Sequence, residues 1–379
     1  MKILKYSFRI YPNQKQTNKL EQFCGAQRWL WNHFLDKEIS EYKESKKFNF
    51  SHKNITSLPK LKKEFDWLKE IPSTSLQQTL LYMDKSLKQS FKRKESGFPK
   101  FKKKRFYQGS FTLAMVSDKL LTDTHFKIPK LGLVKIKLHR KLPSDFKTCQ
   151  IKQKANKWFV VFTVKKETKN KIKTINKVTG YDLNSKQIVV DSDNISVNNP
   201  KFFAKSKQKL KRLNQLLSSK VKYSNNWKKQ LLLVQRQHDK IRNQRKDFLH
   251  KLSTDIINYN DLICLETLDI KSMQQFNGHM VQDAGWSELI SMLEYKCDLY
   301  GKYIVKIDKY FPSTKTCSNC NNIVEKNLNE RNHKCKKCGL EISRDFNAAI
   351  NIKQEGLKTF NFRQELPKAL PDLKNLISL

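Results

Sequence analysis

Two Cys-x-x-Cys turns, Cys317/Cys320 and Cys335/Cys338, stand fourteen residues apart near the end of the chain. Each short turn presents two thiolates on one side of the backbone, and two such turns close four sulfurs around a tetrahedral Zn²⁺ at about 2.3 Å. The same cysteines would also suit a rubredoxin-like iron or two disulfides. One structural zinc is the expected occupant, because nothing in the sequence marks an oxidising compartment. Seven residues after Cys338, the string Arg344-Asp345-Phe346-Asn347-Ala348-Ala349 puts an acidic residue at the start of helix-like sequence.

Charge names the class of partner. Lys and Arg number 76 against 35 Asp and Glu in 379 residues, a formal charge of +41, which exceeds what solubility requires and points to nucleic acid. Lys outnumbers Arg. That bias favours diffuse phosphate contact over planar base-reading forks, and an AT-rich coding sequence would produce it too. With 38% hydrophobic residues the chain can still bury a sizeable core. No run approaches eighteen apolar residues, and Lys5 and Arg9 interrupt the amino-terminal segment, so the expectation is a soluble intracellular protein without a membrane partner. Cys24, Cys149, Cys264 and Cys297 lie singly in apolar or mixed runs and are read as packing residues.

Periodicity divides the chain. Residues 3–10 alternate as a strand, and from Tyr11-Pro12-Asn13 to Lys94 the period is helical, with Leu20, Phe23, Trp31, Phe34 and Leu35, then Leu76, Leu80, Met83, Leu87 and Phe91 at three- and four-residue intervals. Pro72-Ser73 marks a helix start. After Gly97-Phe98-Pro99 the pattern turns to β, with strands at 111–116, 134–138 and 158–164 preceded by the basic run Lys102, Lys103, Lys104, Arg105. Short strands with turn signals at Gly132 and Pro143 fit a small barrel or sandwich to which the first strand could return, the helical block being an insertion. Residues 178–183 and 187–190 read as a hairpin, and 201–251 as two long helices with a basic skin and His238 packed on their seam. A buried strand 262–265, a helix 287–300 and a strand 303–307 precede the knuckles; a helix follows over 344–353, then a mobile tail from 359.

Three carboxylates stand out by position. Asp182 lies in an apolar strand, Glu266 ends another, and Asp345 opens a helix. If neighbouring strands hold Asp182 and Glu266 at one height, the three form a self-repelling cluster that calls for divalent counter-charge, two Mg²⁺ about 3.5 to 4 Å apart, with Mn²⁺ as the alternative. Such clusters hydrolyse phosphodiesters. On spacing alone, Asp182 could equally end a turn and Asp345 could be a helix cap.

Ordered motifs extend the reading. Gly180-Tyr-Asp-Leu183, Ile263-Cys-Leu-Glu-Thr-Leu268 with Lys271-Ser-Met273, Ser313-Thr-Lys-Thr-Cys-Ser-Asn-Cys320, Cys335-Lys-Lys-Cys-Gly339 and Arg344-Asp-Phe-Asn-Ala-Ala-Ile-Asn-Ile352 resemble the TnpB family, transposon-encoded RNA-guided DNA endonucleases related to type V CRISPR effectors. Tyr6 to Pro12, Trp67 to Ser73 with Leu76-Gln-Gln78, and Gly97 to Lys102 carry the likeness into the amino-terminal half. The resemblance implies a multidomain α+β protein: a wedge-type β-barrel over 1–11 and 97–170, a helical recognition domain over 12–96, a RuvC-like, RNase H-fold nuclease over 171–310 and 341–358, a zinc ribbon over 311–340 and a flexible tail over 359–379. It implies Asp182, Glu266 and Asp345 as catalytic magnesium ligands, and Cys317, Cys320, Cys335 and Cys338 as zinc ligands. Its implied partners are a guide RNA from the transposon end, one protein copy per RNA, and double-stranded target DNA flanked by a short motif, in a prokaryotic cytoplasm and on the nucleoid when bound to DNA. Ser73, Gln77 and Gln78 become candidates for reading that motif, since Gln can bond adenine bidentately, although an ordinary polar helix face would look the same. Lys102, Lys103, Lys104 and Arg344 are candidate phosphate contacts, Arg344 being equally suited to a structural ion pair.

The chain departs from the family pattern at Asn184 and Asn321, where glycine is common, and at Ser343, where many members carry an additional aspartate. Asn tolerates a left-handed backbone, which would accommodate the first two. A DDE-type transposase would need its carboxylates in the order Asp, Asp, Glu, unlike the order here. A nuclease-inactive RNA-guided repressor of the same fold and a compact type V CRISPR effector are the alternatives.

Overall fold

Strand β1 (Lys2–Tyr11) buries Phe8 and Ile10, and the chain then turns into α1 (Gln14–Ser45) through a capping box in which Asn13 and Gln16 bond each other's backbone N–H at 2.9 and 3.0 Å. The computed structural model describes residues 1–369 except 47, 49–50, 94–96, 105–108, 185, 270–271, 274, 276–277, 279–282 and 328–329. Helix α2 (Ser51–Glu64), a 3₁₀ turn (Asp66–Glu70) and α3 (Ser73–Lys92) complete the helical block. Strands β2 (Ser110–Ala114), β3 (His125–Ile128), β4 (Gly132–Lys137), β5 (Phe146–Lys154) and β6 (Lys157–Lys166) join β1 in one antiparallel sheet, ordered β2-β5-β6-β1-β4-β3. Strand β1 does pair beside β6, as the barrel reading requires. The barrel itself is not closed among the described residues, where β2 and β3 are sheet edges. Phe91, expected in the apolar stripe of α3, is 58% exposed, whereas Leu76, Leu80, Met83 and Leu87 are buried. Residues 1–166 form one compact unit, so sheet and helical block share a single core.

The second unit begins at Glu167. It contains β7 (Val178–Asp182), β8 (Gln187–Asp191), β9 (Ser196–Asn198), α4 (Phe202–Ser218), α5 (Asn225–Tyr259), β10 (Leu262–Glu266), α6 (Trp286–Tyr300) and β11 (Tyr303–Ile307). Strands β12 (Asn332–Lys334) and β13 (Glu341–Ser343) form a hairpin, and α7 runs from Arg344 to Ala369. The main sheet is ordered β11-β10-β7-β8-β9: β7 to β9 are antiparallel, while β10 joins β7 and β11 joins β10 in parallel. Helix α7 extends past residue 359, where a tail was expected; residues 370–379 lie outside the described residues. His238 is exposed, and the buried positions that flank it on α5 are Val234, Gln237 and Ile241. Both spacings satisfy a three- or four-residue period, and the phase set by Ile241, Leu249 and Leu252 selects Gln237.

Two glycines fix how α7 lies on this sheet. A Cβ on Gly180 of β7 would sit 2.2 Å from the Ala349 carbonyl oxygen and 2.5 Å from the Lys353 nitrogen, and one on Gly356 would sit 2.4 Å from Cys264 Sγ on β10. Helix backbone therefore rests directly on strand backbone at one point and on a small thiol at the other. The Cys264 thiol is pushed up to about 12 by burial, consistent with a packing role. Replacing Gly180 by Ala is expected to destabilise this unit by about 3 kcal/mol or more, because backbone on both sides must shift. Chemical denaturation of the variant measures it, and a loss below about 1 kcal/mol would contradict the close approach.

Candidate active site

The parallel register sets the height of two carboxylates. Leu265 of β10 pairs with Tyr181 of β7, so Glu266 and Asp182 follow side by side at the carboxyl ends of adjacent strands. Helix α7, seated on the same strands, begins at Arg344 and brings Asp345 in its first turn toward them. Asp182 is 7% exposed, and Glu266 and Asp345 are partly buried. Burial first, then the charges of Asp345 and Glu266, push the Asp182 carboxyl up to about 7, offset in part by the Asn184 side chain and the Arg344 guanidinium. Burial also raises Glu266. Asp182 thus feels both other carboxylates, although the three sets of oxygens are not drawn into as tight a group as the cysteines.

Two neighbours organise Asp345. Asn184 Nδ2 donates to its Oδ2 at 3.1 Å, while Asn184 Oδ1 accepts from the backbone N–H of Lys186 and Gln187 at 3.1 and 2.8 Å. Asn184 is thus a side-chain strut; its φ is not positive, so the left-handed rationale does not apply to it. Arg344 Nε lies 3.5 Å from Asp345 Oδ1, and its Nη1 donates to the Glu330 carbonyl at 3.0 Å. Hard carboxylate oxygens around a buried, mutually repelling group form a donor set suited to a divalent cation such as Mg²⁺ or Mn²⁺.

The four cysteines come together as their spacing predicts. Their sulfurs all lie within 4.8 Å of one another, with Cys317 and Cys338 at 3.6 Å and Cys320 and Cys335 at 3.6 Å. A tetrahedron of thiolates at zinc distance has edges of about 3.8 Å, and a disulfide would need about 2 Å. Backbone N–H groups support thiolates: the Leu340 amide holds Cys338 down to about 6, and the Cys338 amide lowers Cys335. Both turns close through a left-handed residue, Asn321 at φ 58° and Gly339 at φ 75°, so asparagine does take the glycine conformation here.

Sequence reading overlooked Asn347 and Asn351. Both are buried, and both donate to the Ser313 and Thr316 carbonyls beside the first knuckle. The available signal was a pair of asparagines at i and i+4 among alanines and isoleucines, on what had to be the buried face of a helix. The candidate nucleic-acid contacts other than Arg344 belong to the first unit. Ser73 is exposed at the first turn of α3 and its Oγ accepts from Lys62 Nζ at 2.7 Å, while Gln77 and Gln78 are half-buried. Lys103 and Lys104 are exposed, and Lys102 stacks 3.5 Å above the Trp31 ring, where burial lowers its ammonium to about 8. Arg105 lies outside the described residues, as does Lys271.

Comparison with known proteins follows this division. Residues 161–277 match the OrfB_IS605 model, described as "Probable transposase", and residues 286–352 match the Cas12f1-like TNB domain. Residues 1–47, here β1 and α1, match the HTH_OrfB_IS605 helix-turn-helix domain. "TnpB-like protein L79" of Acanthamoeba polyphaga mimivirus is 29% identical over 160 residues, 40% of this chain and 30% of that protein. A "Putative RNA-guided DNA endonuclease" of Streptomyces pristinaespiralis is 30% identical over 376 residues, covering 93% of this chain and 89% of its own length. The chain belongs to the TnpB family. A solved structure has a similar fold: the Cas12f1 chain in a cryo-EM complex with sgRNA and target DNA superposes with a TM-score of 0.55 at 15% identity, over 90% of this chain and 83% of that one.

Two outcomes follow from the site. The metal-free folded chain holds the Asp182 proton more tightly than the unfolded chain does, so this group's contribution to stability is present below pH 4 and is lost as pH rises through about 7. Asp182→Asn should therefore stabilise the metal-free protein by ~3 kcal/mol at pH 8, with the gap over wild type shrinking as pH falls toward 4. Denaturation curves across that range measure it; a gap independent of pH would contradict the reading. Cys317→Ser should lower bound zinc below one per chain by elemental analysis and unfold the ribbon locally, leaving the main sheet intact.

Proposed function

We infer that this protein is an RNA-guided DNA endonuclease of a transposon, cutting DNA complementary to its guide beside a short flanking motif. One observation carries the reading: Asp182 and Glu266 stand side by side at the carboxyl ends of paired strands, and α7, seated on the same sheet, opens with Asp345 in its first turn. Family membership supplies the reaction class. Asp182, Glu266 and Asp345 would hold two Mg²⁺ ions, or Mn²⁺, which when bound activate water and stabilise the leaving 3′ oxygen of a phosphodiester. Asn184 keeps the Asp345 carboxylate turned toward the cluster, and Arg344 limits its repulsion. The sheet order β11-β10-β7-β8-β9, with helix α7 on its face, supports an RNase H-like, RuvC-type domain that carries the four-cysteine ribbon as an insertion.

Guidance by RNA accounts for the charge. A folded RNA and an opened target present dozens of phosphates, and +41 suits that load better than a short duplex. The amino-terminal unit would act as wedge and recognition module, with Ser73, Gln77 and Gln78 reading the flanking motif and Lys103 and Lys104 meeting phosphate. One protein copy per RNA is the simplest assembly, in a bacterial cytoplasm where the target DNA lies.

The test is to express the chain with its downstream flanking DNA, sequence the co-purified RNA and challenge the complex with a target library of randomised flanks. Mg²⁺-dependent cuts next to one enriched motif are expected. Asp182→Ala, Glu266→Ala and Asp345→Ala should each lower the cleavage rate by a factor of about 10³ or more while RNA still co-purifies. Absence of bound RNA would overturn the guided reading. Cleavage that survives these substitutions would overturn the site.

A further inference from the structure

The ribbon ends where the helix of Asp345 begins. Strand β13 closes at Ser343 and α7 starts at Arg344 with no linker, and the Arg344 N–H bonds the Arg331 carbonyl across the ribbon at 2.8 Å. The next turns of α7 then reach back to the first knuckle. Asn351 Nδ2 donates to the carbonyls of Ser313 and Thr316, both at 2.7 Å. Asn347 Nδ2 meets the same two oxygens at 3.4 and 2.7 Å, and its Oδ1 accepts the Ser318 N–H at 3.0 Å. Ser318 lies between the zinc ligands Cys317 and Cys320. One turn further, Gln354 Nε2 donates to the Ser318 carbonyl at 3.4 Å.

We propose that Asn347 and Asn351 are positioning residues that couple the four-cysteine ribbon to Asp345, so that the ribbon braces the cation-binding carboxylates. Both asparagines are buried, at 0% and 2% exposure, where apolar side chains would pack at lower desolvation cost. Hydrogen bonds add what apolar packing lacks, a fixed rotation of the helix about its axis. The glycine contacts at 180 and 356 set how deeply α7 sits on the sheet, and the asparagine ladder sets which way its first turn faces. Asp345 is two residues before Asn347. A carboxylate roughly 5 Å from a helix axis moves by more than about 1 Å when the helix rolls by 15°, and misplacement on that scale costs about 100-fold in rate. Sequence spacing explains the choice of residue: i, i+4 and i+7 fall on one face, and that face meets the knuckle backbone, whose carbonyls need donors.

This inference rests on the nuclease reading, and the experiment separates the two. RNA-bound wild type, Asp182→Ala and the double variant Asn347→Ala/Asn351→Ala are compared for zinc content, Mn²⁺ binding by electron paramagnetic resonance, DNA affinity and single-turnover cleavage. The double variant is expected to keep one zinc and wild-type DNA affinity, to bind Mn²⁺ about tenfold more weakly and to cleave about 100-fold more slowly. Removing zinc with a chelator should weaken Mn²⁺ binding in wild type by a similar factor and add little in the double variant, since the coupling is already cut. Zinc retained with Mn²⁺ binding and cleavage within twofold of wild type would overturn the proposal. If the double variant loses zinc, Asn347→Asp, which keeps the acceptor for Ser318 and removes the donors, takes its place with the same expected direction. If wild type and Asp182→Ala bind Mn²⁺ alike, the nuclease reading fails, and the brace is then judged by amide exchange in the first turn of α7, which should accelerate on zinc removal and would overturn the brace if unchanged.

Discussion

The placement of Asp345 in the carboxyl-terminal unit depends on the contact between α7 and the paired strands β7 and β10. Side chains normally hold a helix about 10 Å above a sheet, and here the absence of one at Gly180 lets backbone meet backbone. Gly356 answers from the helix side by leaving room for Cys264. A helix held this close can place the carboxylate of its first turn among those at the strand ends. Larger residues at either glycine would lift α7 away and take Asp345 with it.

The cluster is costly to the bare protein. Asp182 is buried beside other carboxylates; burial first, then their charges, push its carboxyl up to about 7, and Asn184 and Arg344 offset that in part. Such a site stores its own affinity for a cation, because binding discharges repulsion that folding created. The four-cysteine group has the opposite character. Backbone amides of its second turn support the thiolates of Cys335 and Cys338, as suits a site that serves structure.

Much of this was legible in the sequence because its signals are local. Cys-x-x-Cys spacing, the break at Tyr11-Pro12-Asn13, the apolar period of α3 and the carboxylates at strand ends are all set within a few residues. Strand β5 escaped notice because a register shift between Phe146 and Thr148 breaks its alternation. His238 was misplaced because a single helix period admits two neighbouring phases, and only the partner elements choose between them. A barrel was expected from short strands with turn signals between them, whereas the edges of the sheet are fixed by pairings that no strand encodes alone. The strut of Asn184 and the ladder of Asn347 and Asn351 were hidden for a related reason: hydrogen bonds spanning 161 and 29 to 38 residues leave no periodic trace.

The central claim is that Asp182, Glu266 and Asp345 form one divalent-cation site at the carboxyl ends of β7 and β10. Anomalous diffraction from crystals of the RNA-bound protein soaked in Mn²⁺ tests it most directly. The account predicts manganese peaks within coordination distance of all three carboxylates, and no such peaks in Asp182→Ala crystals. Manganese bound away from these side chains, or unaffected by loss of Asp182, would contradict it.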